Sequence, residues 1–335
     1  MKRRNLVLGA AGLAAAPLLG ACTTRGTTTG GAPASSGAAS GAAPATSGPA
    51  FPTKDLNLIV QAAAGGGSDL SSRALGKALE PITGKSVIVE NRPGASGSTA
   101  MLYVKGRPAD GYTVGFGPVE IAMLGHRNFD IKPADYDLLG QIMLGPGVLS
   151  VPADSPYNTL KDFVEAAKTK EMTVANSGAG SIWELAGLSL ASTTGAKVKA
   201  VPFDGGAPAV GAVLGKQVDA AASGVNEVKQ NLADKKLKVL AIFHSERHPQ
   251  MASVPTAKEQ GYDMEIGGWG GIYAPKGLPA SVKKYLEESI KKATETQSYK
   301  DVITNSGNLV VYKSADAFTA FANAEYERFG KLIKG

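Results

Sequence analysis

The chain repeats an order of apolar strand, glycine turn and amphipathic helix. Residues 56–64 form an apolar run, residues 65–69 read Gly-Gly-Gly-Ser-Asp, and residues 70–82 place apolar side chains on one helical face. This spacing predicts a strand, a tight turn and a helix. Residues 172–175, 176–181 and 182–192 repeat the device with a small-residue turn. Two such turns, far apart in sequence, are what a cleft between two domains needs.

The remaining pattern extends the same alternation. Strands are predicted at 85–91, 112–116, 197–202, 218–222 and 237–243, and helices at 99–106, 159–168, 207–214, 225–234, 282–294 and 315–333. Strands that alternate with helices favour a parallel sheet covered on both faces. The apolar, glycine-broken segment 136–151 is interpreted as a connection between two domains, and segment 264–273 carries the chain back.

The N-terminus has the pattern of an export signal. Lys2, Arg3 and Arg4 precede an apolar segment, 6–19, that is too short to span a bilayer comfortably. Residues 19–22 (Leu-Gly-Ala-Cys) resemble the bacterial lipobox, and Cys22 is the single cysteine. We expect a signal peptide at 1–21 and lipidation of Cys22, which could instead be a buried or unpaired thiol. Several acyl chains would anchor the protein stably to a membrane.

Residues 22–51 are predicted to be a disordered linker that follows the lipidated cysteine. The segment consists mainly of Ser, Thr, Ala, Gly and Pro and carries one charge, Arg25, so it cannot bury enough apolar surface to order itself. Thr23, rather than aspartate, follows the cysteine and favours the outer membrane over the inner membrane. We therefore expect an exported protein, tethered on the periplasmic side.

Composition and motifs exclude several classes of function. The formal charge is +6, half of it in the first four residues, and no Lys/Arg-rich run indicates nucleic-acid binding. His126, His244 and His248 lack metal-ligand spacing, and no Gly-x-Ser-x-Gly elbow is present. The glycine run lacks the Gly-Lys-Ser/Thr of a phosphate-binding loop. We expect no catalytic residue, metal or cofactor.

The glycine turns are the candidate ligand contacts. Glycine lets a backbone approach a ligand closely, and the N–H groups at a helix N-terminus attract an anion. Ser68 or Asp69 could cap the first helix. Glycine-rich turns are also common as simple connections between a strand and a helix. The residues therefore fit both a carboxylate-binding turn and an ordinary connecting turn.

Eight blocks in order resemble one family. They are residues 65–69 (GGGSD), 89–95 (VENRPGA), 108–113 (PADGYT), 177–181 (SGAGS), 201–206 (VPFDGG), 217–219 (QVD), 254–261 (VPTAKEQG) and 274–279 (APKGLP). Over residues 52–335 the set resembles the solute-binding proteins of tripartite tricarboxylate transporters, the Bug family. The resemblance implies an α/β, type II periplasmic-binding-protein fold with parallel-rich sheets in two lobes. Lobe 1 would be 52–150 plus 265–335, and lobe 2 would be 151–264.

The resemblance also implies which residues hold a ligand carboxylate in the cleft between the lobes. In the first lobe these are Ala64, Gly65, Gly66, Gly67, Ser68, Asp69, Ser96 and Glu120, and in the second Ser177, Gly178, Ala179, Gly180, Ser181 and Glu184, with Phe203, Asp204 and Asn226 near the rim. For Asp69 we favour a role as helix cap that orients the turn. Trp269, inside a glycine-rich segment, is predicted to form a ligand-facing wall.

Two departures from the family pattern bear on the ligand. Relatives often have His at the place of Glu184, and Thr-Trp-Arg-Gly where residues 268–271 read Gly-Trp-Gly-Gly. An acid gained and an arginine lost both disfavour a highly anionic ligand, if both positions line the cleft. We therefore expect a monocarboxylate, a dicarboxylate or an amino acid rather than a tricarboxylate. Alternatively, Glu184 pairs with a lysine at the surface.

The resemblance implies a monomeric receptor that closes around its ligand by a hinge and docks on membrane permease subunits. A solute-sensing module that presents its ligand to a membrane sensor would have the same cleft. An anchored hydrolase is the least supported interpretation, because no nucleophile, base and orienting group assemble from the sequence.

Overall fold

The computed structural model describes residues 51–334. The predicted signal peptide, Cys22 and all of the predicted linker except Phe51 lie outside the described residues. The described part forms ten strands: β1 (Leu56–Val60), β2 (Val87–Asn91), β3 (Thr113–Pro118), β4 (Tyr136–Pro152), β5 (Met172–Asn176), β6 (Val198–Pro202), β7 (Ala220–Gly224), β8 (Leu237–Phe243), β9 (Gly267–Pro275) and β10 (Leu309–Ser314).

Helices connect and cover these strands. They are α1 (Gly67–Thr83), α2 (Ser98–Lys105), α3 (Leu160–Thr169), α4 (Ile182–Thr194), α5 (Gly206–Leu214), α6 (Val225–Ala233), α7 (Ala280–Glu295), α8 (Gln297–Asn305) and α9 (Ala315–Lys334). Thr159 caps α3 as a reciprocal capping box, because its hydroxyl accepts the N–H of Asp162 while Asp162 accepts the N–H of Thr159. None of the helices in the described range is long and apolar enough to cross a membrane.

The long strand β4 joins two sheets. Its first part, up to Pro146, pairs with β9 and β10, and its last part, from Gly147, pairs with β7 and β8. The first sheet has the order β2-β1-β3-β9-β4, with β10 also on β4, and the second continues from β4 through β7 and β5 to β6. The segment predicted as a connection between domains is therefore a strand shared by both sheets.

Strand direction is mixed in both sheets. The outer strands pair in parallel, as β2-β1-β3 and β7-β5-β6. Every pair that includes β4 or β9 is antiparallel. A purely parallel arrangement, as the alternation of strands and helices favoured, thus holds only for the outer strands. The α/β class and the two-lobed, periplasmic-binding-protein type of fold are confirmed.

The core runs through the junction of the two sheets. One buried cluster includes Tyr136 and Trp269 from the first sheet together with Leu149 and Phe243 from the second. Phe318, on α9, packs into the same cluster. The helix α9 contacts β4 and thereby closes the C-terminal end of the chain onto the first sheet.

Candidate functional site

A cavity of about 960 Å³ lies where the two sheets meet. The loops that follow β1, β2, β3 and β5 line it, together with the first turns of α1, α4 and α6. Ligand sites in open α/β sheets characteristically lie outside the carboxyl ends of strands, and this cavity has that position. Its volume is within the range of sites for small molecules.

The first glycine turn joins β1 to α1. Gly65 has φ +83°, a conformation that glycine adopts without steric cost. The helix begins after Gly66, which has no side chain to cap the first N–H groups. Gly67 and Ser68, at the start of α1, line the cavity. The helix therefore presents its uncapped, electropositive end to the cavity.

The Asp69 side chain stabilises this turn by hydrogen bonds. Its Oδ2 accepts the N–H of Gly65 at 2.9 Å and a bond from Arg73 Nε at 3.0 Å, and its Oδ1 accepts from Asn91 Nδ2 at 2.8 Å. Burial alone would raise the pKa of this carboxyl, but these hydrogen bonds outweigh burial and lower the pKa below its usual value. Asp69 is 1% exposed and points away from the cavity, so its role is to fix the turn.

The second turn, between β5 and α4, has the same construction. Gly180 has φ +86°, and its N–H donates to Glu184 Oε2 at 2.8 Å. Arg127 Nη2 donates to the same oxygen at 2.8 Å. Ser181 caps α4 by accepting the N–H of Glu184 at 3.2 Å, and Ser181 and Ile182 line the cavity. Each turn thus has a positive-φ glycine whose N–H is accepted by a carboxylate four residues later, which an arginine also contacts.

A family model described as "Tripartite tricarboxylate transporter family receptor" matches residues 72–335. The chain belongs to this receptor family. The resemblance inferred from the sequence blocks is confirmed. The family consists of solute-binding receptors rather than enzymes. Among the residues that the structure covers, no group of three or more His, Cys, Asp or Glu side chains could hold a metal ion.

Solved structures of similar proteins share the fold of the receptor. A solute-binding protein from Polaromonas is 31% identical and superposes with a TM-score of 0.77, covering 85% of this chain and 99% of its own. A Rhodopseudomonas palustris protein with adipate is 26% identical, with a TM-score of 0.75 and coverages of 85% and 98%. A second protein of that organism, with bound malate, is 25% identical, with a TM-score of 0.73 and coverages of 84% and 100%.

The structure brings most of the predicted contact residues of the receptor to one cavity. Those that line it are Gly67, Ser68, Ser96, Glu120, Ser177, Gly178, Ala179, Ser181, Asp204, Asn226 and Trp269. They come from both sheets, since Glu120 follows β3 while Asp204 and Asn226 follow β6 and β7. The cavity is therefore shared between the two halves of the fold.

The other predicted residues lie off the cavity wall. They are Ala64, Gly65, Gly66, Asp69, Gly180, Glu184 and Phe203. Asp69 and Glu184 are turned towards the backbone of their own turns, and Gly65 and Gly180 supply the N–H groups that they accept. Phe203 packs against the apolar cluster beneath α5. Glu184 pairs with an arginine at the site rather than with a surface lysine.

The two tryptophans divide between core and cavity. Trp269 is 2% exposed, packs edge-on against Phe318 and Phe321, and donates its indole N–H to Glu325 at 3.3 Å. Only part of its surface reaches the cavity wall. Trp183 is half-buried and lines the cavity directly.

Gly270, on β9, lies directly beside an aromatic ring. A Cβ built on Gly270 would lie 2.2 Å from the Phe116 ring, so the aromatic ring occupies the space that a side chain would need. Phe116 itself lines the cavity. The receptor thus has an aromatic ring on the cavity wall beside Gly270 and no room there for a larger residue.

The charged side chains that line the cavity are all acidic. They are Glu120, Asp204 and Glu227, and no Lys, Arg or His accompanies them on the described wall. Burial raises the pKa of Glu120 to about 7, against a weaker lowering by its own backbone N–H. Burial likewise raises the pKa of Glu227, although the N–H of Gly224 donates to its Oε2 at 2.7 Å and opposes the shift.

Sequence reasoning missed several cavity residues, among them Gln61, Glu227 and Asn308. Gln61 directly follows β1, and a polar residue at the end of a buried strand is a usable signal. Glu227 lies one residue after Asn226 on the first turn of α6. The sequence analysis predicted Asn226 as a contact residue but did not include Glu227. Asn308 precedes a strand that the pattern did not reveal, and no local signal marks it.

Proposed function

We propose that the receptor captures a small carboxylate-bearing solute between its two lobes by hinge closure. The observation that carries this proposal is the pair of helix N-termini, α1 and α4, that meet at one cavity on matched glycine turns. N–H groups at helix ends stabilise an anion, and two ends facing one space bind a carboxylate from both sides. Adipate and malate in the two similar proteins from Rhodopseudomonas palustris support this class of ligand.

Closure requires parts that move relative to each other. We propose the lobes 52–150 plus 265–335 and 151–264, with β4 and β9 forming the crossings. A carboxylate that bridges both turns makes contacts only when the lobes are together, and this differential affinity shifts the equilibrium to the closed form. A monomer suffices for this mechanism, because both turns belong to one chain.

The setting of the receptor in the cell is also part of the proposal. Lipidation at Cys22 would anchor it on the periplasmic side of a membrane, with the outer membrane favoured, and residues 23–51 would let the domain reach a partner. The closed form would dock on membrane permease subunits and release its solute there. Labelling with a radioactive fatty acid tests the anchor, and a Cys22→Ser variant should lose both the label and membrane association.

The ligand is expected to be a monocarboxylate, a dicarboxylate or an amino acid rather than a tricarboxylate. Among the described residues, the cavity wall carries three acids and no Lys, Arg or His, and this supports the choice because a trianion would bring its charges against the carboxylates.

A thermal-shift panel of carboxylates and amino acids tests the proposed function. A ligand that binds only the folded form raises the melting temperature, by an amount that follows its concentration relative to Kd. We expect at least one small carboxylate to raise the melting temperature and citrate to give a smaller shift. No shift with any carboxylate would contradict the proposal, and citrate as the tightest ligand would contradict the expected charge.

A further inference from the structure

Arg127 and Glu184 form an ion pair between the two proposed lobes. Arg127 ends the single turn Leu124–Arg127 of lobe 1, and Glu184 lies on the first turn of α4 in lobe 2. Arg127 Nη2 lies 2.8 Å from Glu184 Oε2, and the two side chains are only 30% and 19% exposed. Charge-assisted contacts that are partly buried hold more strongly than ion pairs at an open surface. This pair therefore joins the lobes beside the cavity, whose wall includes the preceding residue, Trp183.

A second set of contacts joins the lobes at the C-terminal end of α8, in lobe 1. Gln250 Nε2 donates to the Thr304 carbonyl oxygen at 2.8 Å, and Lys229 Nζ donates to the carbonyl oxygen of Asn305. Both donors belong to lobe 2, since Lys229 lies on α6 and Gln250 on the short turn after β8. The last carbonyls of a helix lie at its negative dipole end, where a cation is favourable. The two side chains therefore attach lobe 2 to the end of this helix.

The loop after α8 packs directly on α6. Gly307 has φ +86°, and a Cβ built there would lie 3.1 Å from Asn226 Cα and 3.3 Å from Lys229 Cδ. The next residue, Asn308, is 6% exposed and lines the cavity. Glycine at position 307 therefore lets the two lobes meet at contact distance immediately beside the cavity.

The two sets of contacts lie on opposite sides of the crossing strands. In the first sheet, β3 and β10 flank the pair of strands β9 and β4. Arg127 belongs to the segment that follows β3, whereas Asn305 ends the helix that precedes β10. Arg127, Lys229 and Gln250 are not among the residues that line the cavity. These side chains therefore act on the position of the lobes and not on the ligand itself.

We infer that these two sets of contacts form an interlobe latch, which holds the lobes together before a ligand arrives and so sets the affinity of the receptor from residues that do not touch the ligand. The inference rests on the proposed function, because it takes the two proposed lobes as the parts that move. When only the closed form binds, the apparent affinity falls in proportion to the closed fraction. The latch therefore changes how tightly a ligand binds without choosing between ligands.

The test measures the distance between the lobes in the ligand-free full chain by double electron–electron resonance. Spin labels on the exposed sites Lys77→Cys in α1 and Lys199→Cys in β6 report on lobe 1 and lobe 2, in a Cys22→Ser background that leaves no other thiol.

Two sets of variants remove the latch from either side. We expect Arg127→Met, and separately the double variant Lys229→Met with Gln250→Leu, to add an open population to the distance distribution. Lys168→Met is the matched control, because it removes an ion pair that lies within α3, and should leave the distribution unchanged.

Adipate affinity, by titration calorimetry, is the second readout. The double variant loses two hydrogen bonds, one of them from an ammonium group, so we expect affinity to fall by at least about fivefold. Saturating adipate should restore the wild-type distance, because its binding energy replaces that of the latch.

The two readouts separate failure of the latch from failure of the proposed function. Wild-type distances in either set of variants, with adipate binding retained, would overturn the latch alone. A loss of affinity without an open population would also overturn it, because the side chains would then act on the ligand site directly. An open population in the variants, together with no binding of any small carboxylate by the wild type, would overturn the proposed ligand class and leave the latch standing.

Discussion

Glu184 Oε2 accepts the N–H of Gly180 at 2.8 Å, and Asp69 Oδ2 accepts the N–H of Gly65 at 2.9 Å in the same way on the other side of the cavity. In each pair the acceptor lies four residues after the glycine. The two carboxylates therefore hold the turns in shape and accept none of the N–H groups of α1 or α4 themselves. Glu184 thus acts through the turn, not by facing the solute.

Replacing Glu184 distinguishes these two roles by the sign of the effect. Glu184→Gln removes the charge that Arg127 contacts and weakens the hold on Gly180, so we expect affinity for a small carboxylate to fall about fivefold to tenfold, as for loss of a charge-assisted hydrogen bond. If Glu184 instead repelled the ligand, the amide would tighten binding. Titration calorimetry with adipate measures the affinity of wild type and variant. Glu165→Gln, on the exposed face of α3, is the control.

Asp69 is predicted to matter for stability in a pH-dependent way. Asp69→Asn removes the charge and one of the two acceptor oxygens of a buried side chain that accepts three hydrogen bonds, including one from Arg73, and should lower the free energy of unfolding by about 2–3 kcal/mol at pH 7. The pKa of Asp69 is lowered in the folded state, so its contribution is present above the unfolded value of 3.8 and is lost as the pH falls through the folded value.

Denaturant unfolding of wild type and Asp69→Asn from pH 7 to pH 2 measures this contribution. The difference in unfolding free energy should stay constant down to about pH 4 and shrink below it. A difference that does not change with pH would mean that the charge of Asp69 contributes nothing to the turn.

The two tryptophans give an optical test of the placement of the cavity. Trp183 is half-buried on the cavity wall, whereas Trp269 is held in the core by Glu325 and two phenylalanines. We expect ligand binding to change the fluorescence of Trp183, because its exposed face would lose water on closure. The change should disappear in Trp183→Phe and persist in Trp269→Phe. The reverse pattern would place the ligand against Trp269 instead.

The sequence pattern correctly predicted the structural features that depend on residues close together in the chain. The strand, turn and helix that surround Gly65 and Gly180 follow from hydrophobic period and glycine, and the cap at Thr159 follows from its side chain. The same pattern did not reveal α8 or β10. The β10 side chains are partly exposed and lie beside β4, far away in sequence, so local periodicity carries little of their pairing.

The sequence pattern also failed to predict the direction of the central strands and the direction in which some side chains point. The glycines of β4 and β9 look like loop residues, yet Gly145 and Gly271 are needed because Asn308 and Phe318 fill the space beside them. Only the folded chain shows those neighbours. Glu184 was assigned to the ligand by its position in the motif, but the motif does not record whether a side chain points towards the cavity or back onto the turn.

The central claim is that a ligand carboxylate binds at the N-terminus of α1, and Gly67 is the best place to test it. A Cβ on Gly67 meets no atom within 4 Å and Gly67 lines the cavity, so Gly67→Val should fold and fill the seat. Gly66 is a poorer probe, since its Cβ would lie 3.3 Å from the Ala63 carbonyl oxygen. Gly211, exposed on α5 with nothing within 4 Å, supplies the control Gly211→Val.

The decisive measurement is the Kd, by titration calorimetry, of the small carboxylate that raises the melting temperature of the wild type most in the thermal-shift panel. We expect Gly67→Val to weaken that affinity by at least about tenfold, a loss of about 1.4 kcal/mol, while Gly211→Val stays within about twofold. Unchanged affinity in a folded Gly67→Val protein would contradict the placement of the carboxylate at this turn.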